Sequence, residues 1–233
     1  MVEGSLLVLY IPWSLFCRRI TLAIDTGDTT WMLISTGLVM LMTPALGFFE
    51  AGLIRSKNSL SVLVQTFSGL AILSALWFIL GFTLVFSPSQ SGIIGGFDWV
   101  FFRDVPVNDS LDYAPTIPGI TFASFQMMFA VITPLLITGA FAERVKWNAF
   151  VVFILAWSIF IYYPLAHWVW GRGWLAELGV FDFAGGIVIH TSAGLASLAA
   201  ALVLGRRKNF GPDIMVPHNI PLAVIGATLL WSG

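Results

Sequence analysis

The sequence predicts an all-α polytopic membrane protein, and three observations lead there. Of 233 residues, 58% are hydrophobic and only 10% are charged, where a soluble domain carries about a quarter charged residues. The charges are clustered, which leaves long uncharged runs between them. Those runs match the roughly 20 apolar residues that a helix needs to cross a bilayer core, and a helix satisfies its own backbone groups, as lipid demands. A net charge of −1 gives no basic footprint for nucleic acid. The single cysteine, Cys17, excludes an intramolecular disulfide and a multi-cysteine metal site.

Residues 1–24 read as an extension set apart from the rest. Residues 6–16 are apolar but too short to span, and Arg18 and Arg19 follow them, the reverse of the charge order in a signal peptide. A poor signal sequence, an interfacial segment and an extended start site all stay open. The first span is 31–53, with Glu50 near its end. The second is 59–86, without a charge. The loop 87–118, rich in glycine and proline, is long enough to be functional and is expected to line an external vestibule. Spans three, four and five are 119–142, 148–170 and 183–205; Pro134 is expected to kink the third, and His190 is the only ionisable side chain of the fifth. Residues 219–233 are apolar but too short to cross alone.

The loops set the orientation. Those after spans one, three and five hold seven basic residues: Arg55, Lys57, Arg144, Lys146, Arg206, Arg207 and Lys208. Those after spans two and four hold two, Arg103 and Arg172, together with most of the acids. Basic loops stay on the cytoplasmic side, so the expected N-terminus is outside, and so are Trp170 and Asp182.

The segment 182–190 carries the most information. It puts Asp182 at the mouth of an apolar helix and His190 about two turns deeper; an ionisable residue inside a span is a functional-site hypothesis by default. At helical spacing Gly186, His190, Ala193, Gly194, Ser197 and Ala201 share one face, and small faces let backbones approach. His190 is therefore expected to project into a helix interface or a cavity, as a hydrogen-bonded core histidine or as a pore group. Asp182 suits an N-cap, a role compatible with attracting a cation. Trp170 reads as an interfacial anchor or as a cation–π platform. Phe122, Phe125 and Phe129 follow i, i+3, i+7 spacing, which fits either packing or an aromatic constriction. His167 and His218 are expected near opposite interfaces, where both can be solvated. No nucleophile elbow, phosphate loop or H-E-x-x-H occurs, so neither an enzyme nor a metal or other cofactor is expected.

Several segments together resemble the Amt/Mep/Rh ammonium transporter family, nearer its Amt branch. They are Gly-Leu-Ile-Arg-Ser-Lys-Asn at 52–58, Phe-Gln-Met-Met-Phe-Ala-Val-Ile-Thr at 125–133 and Gly-Ala-Phe-Ala-Glu-Arg at 139–144. They continue with Ala-His-Trp-Val-Trp-Gly at 166–171, Asp-Phe-Ala-Gly-Gly-Ile-Val-Ile-His at 182–190 and Pro-His-Asn-Ile-Pro at 217–221. The resemblance runs over 25–233 and leaves 1–24 outside. It implies the first half of an eleven-helix inverted-repeat ammonium transporter fold, with five full spans plus part of a sixth. It also implies that Trp170 holds ammonium by cation–π contact and that Phe125 and Phe129 form a gate beneath it. Asp182 would shape the external site, and His190 would be the first of two pore histidines. Homotrimers with one pore per subunit, and a PII-class signalling protein as cytoplasmic partner, come with the family. The family's next segment, with a further gate phenylalanine, the second histidine and the second half-repeat, lies beyond Gly233. The alternatives to ammonium or ammonia transport are thus an inactive truncated fragment, expected to take up no ammonium alone, and an ammonium sensor or scaffold for signalling proteins.

Overall fold

The computed structural model describes residues 23–89, 92–207 and 216–233. Most of the 1–24 extension, Cys17 and Lys208 lie outside the described residues.

Five helices are long and apolar enough to cross a membrane: α1 (Thr26–Leu53), α2 (Ser56–Phe86), α3 (Gly119–Phe141), α4 (Trp147–Glu177) and α5 (Gly186–Leu204). A shorter apolar helix, α6 (Ile220–Ser232), follows. The protein is a multi-pass, all-α membrane protein, as the sequence predicts. Helix α1 starts five residues before the apolar run, because the Asp25 carboxylate caps it by accepting from the Asp28 N–H at 2.8 Å. Asn219 caps α6 in the same way, accepting from the Leu222 N–H at 3.0 Å. Helix α3 is regular to Leu135 and resumes over Thr138–Phe141. The interruption thus falls just after Pro134.

Three spans contain a widened turn in which a backbone N–H reaches back five residues: Phe82 to Trp77 in α2, Tyr163 to Ser158 in α4, and His190 to Gly185 in α5. Such turns insert one residue and recur at functional sites. The α2 and α4 turns meet, with the rings of Trp77 and Tyr163 centred 5.8 Å apart. Around them Phe82, Phe86, Tyr162 and Phe150 form the fully buried core between α2, α3 and α4.

Helix α6 lies along α1, the most extensive helix–helix contact among the described residues. Small residues make it possible. A Cβ added at Gly226 would stand 2.3 Å from the Phe49 nitrogen, and one at Gly52 would stand 2.6 Å from the Asn219 carbonyl oxygen. Close backbone approach of this kind is how helices associate where lipid removes the hydrophobic drive.

The loop between α2 and α3 is built, not loose. It contains a tight turn at Val100–Phe102 and an antiparallel hairpin of β1 (Ser110–Leu111) and β2 (Ala114–Pro118). The Asp25 N–H donates to the Thr116 carbonyl at 2.8 Å, which ties the hairpin to the start of α1.

At the other end of the bundle the basic loops converge on Glu143, whose side chain is 3% exposed. Arg55 donates to both of its oxygens, from Nε at 3.0 Å and Nη2 at 2.9 Å, Asn58 donates at 2.8 Å and Arg207 at 3.2 Å. Burial pushes the Glu143 carboxyl up, but the hydrogen bonds from Arg55 and Asn58 and the Arg55 charge outweigh it and hold it below its ordinary value of 4.5. A carboxyl held low in the fold stabilises fully above its ordinary value, and that contribution is lost as pH falls through the folded value. The thermal midpoint is therefore expected to drop on acidification below about 4.5, and Glu143→Gln should lower the midpoint at neutral pH and flatten the acid limb. An unchanged acid limb in Glu143→Gln would mean that other carboxylates set it.

Candidate functional site

Four of the five sequence-predicted site residues wall one cavity of about 630 Å³. Phe125 and Phe129 project from α3, with ring centres 5.0 Å apart and nearly perpendicular. The Trp170 ring, just after the α4 turns that end at Val169, is centred 6.5 Å from that of Phe129 and meets it edge-on. Asp182, ahead of α5, lines the cavity beside Trp170. Phe122 touches the cavity but belongs to the core: its ring stacks on Tyr113 at 5.8 Å and packs against Phe86.

Asp182 fixes the mouth of α5. Its Oδ1 accepts from the backbone N–H groups of Gly185 and Gly186 at 2.7 and 2.8 Å, and its Oδ2 from those of Ile187 and Val188 at 2.8 and 2.9 Å. These are the otherwise unpaired donors of a helix start. One carboxylate holds four of them because Gly185 takes a left-handed conformation, φ +84°, which turns the chain back over the side chain. The Asp182 backbone carbonyl in turn accepts from the Trp170 indole N–H at 2.9 Å. The same residue thus caps α5 and sets the tilt of the tryptophan ring.

His190 is not brought into this cavity. Both Ile189 and His190 donate their backbone N–H to the Gly185 carbonyl, at 2.9 Å each, and this widened turn directs Ile189 to the cavity wall. Gly186, His190, Gly194 and Ala201 do share one face, and that face is exposed among the described residues. The expected helix interface is therefore not formed by the described helices; of the small residues named, only Ala193 is buried.

His167 departs from its expected solvation. It is 1% exposed, and its Nδ1 lies 2.7 Å from the Val85 carbonyl oxygen. The reason is packing: α4 runs beside the end of α2, and Gly171 closes over the imidazole so tightly that a Cβ there would lie 2.6 Å from Nδ1. His218 is exposed, with Nδ1 3.0 Å from the Ile54 carbonyl.

Tyr113 and Gln126 are among the cavity residues that sequence reasoning missed. Tyr113 enters from the hairpin and is held by Arg172, whose guanidinium lies 4.6 Å from its ring centre. Burial pushes the Tyr113 phenol up, opposed by the Arg172 charge. Gln126 lines the cavity beside Phe125; a polar amide inside an apolar span was the available signal. Tyr113 had none, because a loop residue carries no periodicity.

The family model described as Ammonium Transporter Family matches residues 30–233. Ammonium transporter 1 of Dictyostelium discoideum is 56% identical over 213 residues, 90% of this chain and 46% of that protein. The ammonium transporter of Bacillus subtilis is 47% identical over 207 residues, 89% of this chain and 50% of its own. Among solved structures, Mep2 of Candida albicans superimposes with a TM-score of 0.80 at 34% identity, covering 89% of this chain and 46% of that one. The chain therefore spans about half the length of the curated relatives it matches. With a fold, a family match over nearly all its described length and relatives that agree, this chain belongs to the Ammonium Transporter Family.

Proposed function

We propose that this chain supplies one wall of a pathway for ammonium or ammonia across the cell membrane, with its N-terminus outside. The convergence of Trp170, Phe125, Phe129 and Asp182 on one cavity carries this reading. Ammonium meets the π face of Trp170, an interaction worth about 2 kcal/mol once desolvated. A hydrated sodium ion keeps its water and gains less there. The negative charge of Asp182 favours a cation at the mouth, and because its oxygens already hold four N–H groups, it acts through its field and through the shape it imposes.

Beneath the tryptophan, the perpendicular rings of Phe125 and Phe129 bar a hydrated ion. A bare cation in the bilayer centre costs several kcal/mol or more, and separating a proton from ammonia lowers that barrier. The exposed face of α5 that carries His190 is the route proposed for ammonia beyond the rings. A neutral imidazole has one donor and one acceptor, so His190 relays the proton as the first of a histidine pair, handing it on to the second histidine of the full-length protein. The surplus of basic residues at the Glu143 end supports a cytoplasmic assignment for that end. Assembly as a homotrimer and docking of a PII-class signalling protein there follow from the family resemblance as further parts of this proposal.

The test is ammonium uptake in transport-deficient cells by the full-length protein that carries this sequence. Trp170→Leu is expected to raise the half-saturating ammonium concentration about 30-fold, the equivalent of about 2 kcal/mol. His190→Ala should abolish or alter the electrogenic current. Unchanged affinity in the first and unchanged current in the second would sink the assigned roles.

A further inference from the structure

Glu50 is a buried carboxyl that the pathway above does not use. It lies three residues before the end of α1 and is 8% exposed. Its Oε2 is 2.7 Å from the Thr138 hydroxyl, which also lies 2.5 Å from the Leu135 carbonyl oxygen. Its Oε1 borders Gly139, where an added Cβ would approach to 3.2 Å.

The hydrogen atoms decide what this arrangement is. Thr138 has one hydroxyl proton to donate. With an ionised Glu50, the Gly139 backbone N–H serves the carboxylate in part, but Oε2 and the Leu135 carbonyl both need the Thr138 proton, and one acceptor at contact distance goes unserved. With a protonated Glu50, the acid O–H donates to Thr138 Oγ1, and the Thr138 O–H donates to Leu135. Every group is then satisfied.

No counter-charge offers another solution. The charged or titratable groups on elements packed against this end of α1 are Arg55, Lys57, Glu143, Arg144 and His218. Arg55 is committed to Glu143. Arg144 donates to the carbonyls of Gly205 and Ala140. His218 meets the Ile54 carbonyl, and Lys57 is exposed. No ion pair reaches Glu50 among the described residues, and an unpaired buried carboxylate is costly.

We propose that Glu50 is a proton-binding site, a neutral carboxylic acid at neutral pH that heads a Glu50–Thr138–Leu135 hydrogen-bond chain. Gly139 is exposed, so its missing side chain gives water access to Oε1. When the proton leaves to water, the electron pair stays on the carboxylate, and Thr138 turns its O–H from Leu135 to Glu50. The Leu135 carbonyl, at the interruption of α3, loses its donor in that exchange. The site stands apart from the Trp170 cavity and does not depend on the transport reading.

Infrared spectroscopy of the purified chain in ester-free detergent at neutral pH tests it. The expected spectrum has a carboxylic C=O stretch that shifts on deuteration, disappears in Glu50→Gln and moves in Thr138→Val. Superimposable spectra of the unaltered chain and Glu50→Gln would overturn the proposal. Carbon-13 NMR of the unaltered chain, labelled at its four glutamates (Glu3, Glu50, Glu143 and Glu177), removes any dependence on variant folding. One carboxyl in the protonated range supports the site, and four in the carboxylate range reject it.

Discussion

Asp182→Ala is expected to lower the unfolding free energy by about 2–3 kcal/mol, the upper end for a lost cap, because its bonds are charge-assisted. Four backbone N–H groups, from Gly185 to Val188, lose their acceptor together. The first turn of α5 then frays, and with it the Asp182 carbonyl that receives the Trp170 indole N–H. The tryptophan loses its tilt, so under the proposed pathway the full-length variant should bind ammonium more weakly although Trp170 itself is untouched. Asp182→Asn separates charge from geometry. Its amide has one oxygen where the carboxylate has two, so it serves about half of the donors and should fall between the other two proteins. Hydrogen exchange reads the result directly. The amides of 185–188 should be protected in the unaltered chain and exchange much faster in the alanine variant. Equal protection in both would show that Asp182 does not hold the helix start.

Gly226→Leu is expected to cost about 3 kcal/mol, the upper range for overpacking. The atoms in the way are backbone: the Phe49 nitrogen at 2.3 Å and the Ala45 carbonyl oxygen at 2.7 Å from the new Cβ. A side chain can change rotamer to make room, but a helix backbone cannot. Helix α6 must therefore lift from α1, which exposes Gly52 and Ala223 on the facing surfaces. Ile225→Ala is the control, since Ile225 lies on the outward side of α6 and is half exposed; it should change the unfolding midpoint little. Thermal unfolding in detergent compares the three proteins. A Gly226→Leu midpoint equal to that of the unaltered chain would rule out the close backbone contact.

The spans were legible because bilayer thickness imposes a length that needs no knowledge of tertiary structure. The Asp182 cap was legible for the same local reason: an aspartate before a helix has only nearby N–H groups to serve. Periodicity also placed Gly186, His190, Gly194 and Ala201 on one face. It could not say what covers that face, because burial is a property of neighbours. The widened turn at 186–191 was hidden too, since an inserted residue leaves no composition signal and yet decides that Ile189, not His190, lines the cavity. His167 illustrates the opposite error. Its place near a span end suggested water, while the glycine at 171 that seals it reads in sequence only as a loop residue. The partners of Glu143 were out of reach because Arg55 lies 88 residues before it.

That separation has a consequence in time. A chain made from its N-terminus presents Arg55 first, Glu143 only after two more membrane crossings, and Arg207 after another two. The guanidinium of Arg55 must wait in water or at lipid headgroups until α3 has been inserted, and the full cluster can close only after α5 has crossed. The carboxylate that joins these loops in the finished fold thus meets both arginines only when every span between them is correctly oriented: a misoriented α3 would carry Glu143 to the other side of the membrane and leave Arg55 and Arg207 without their acceptor.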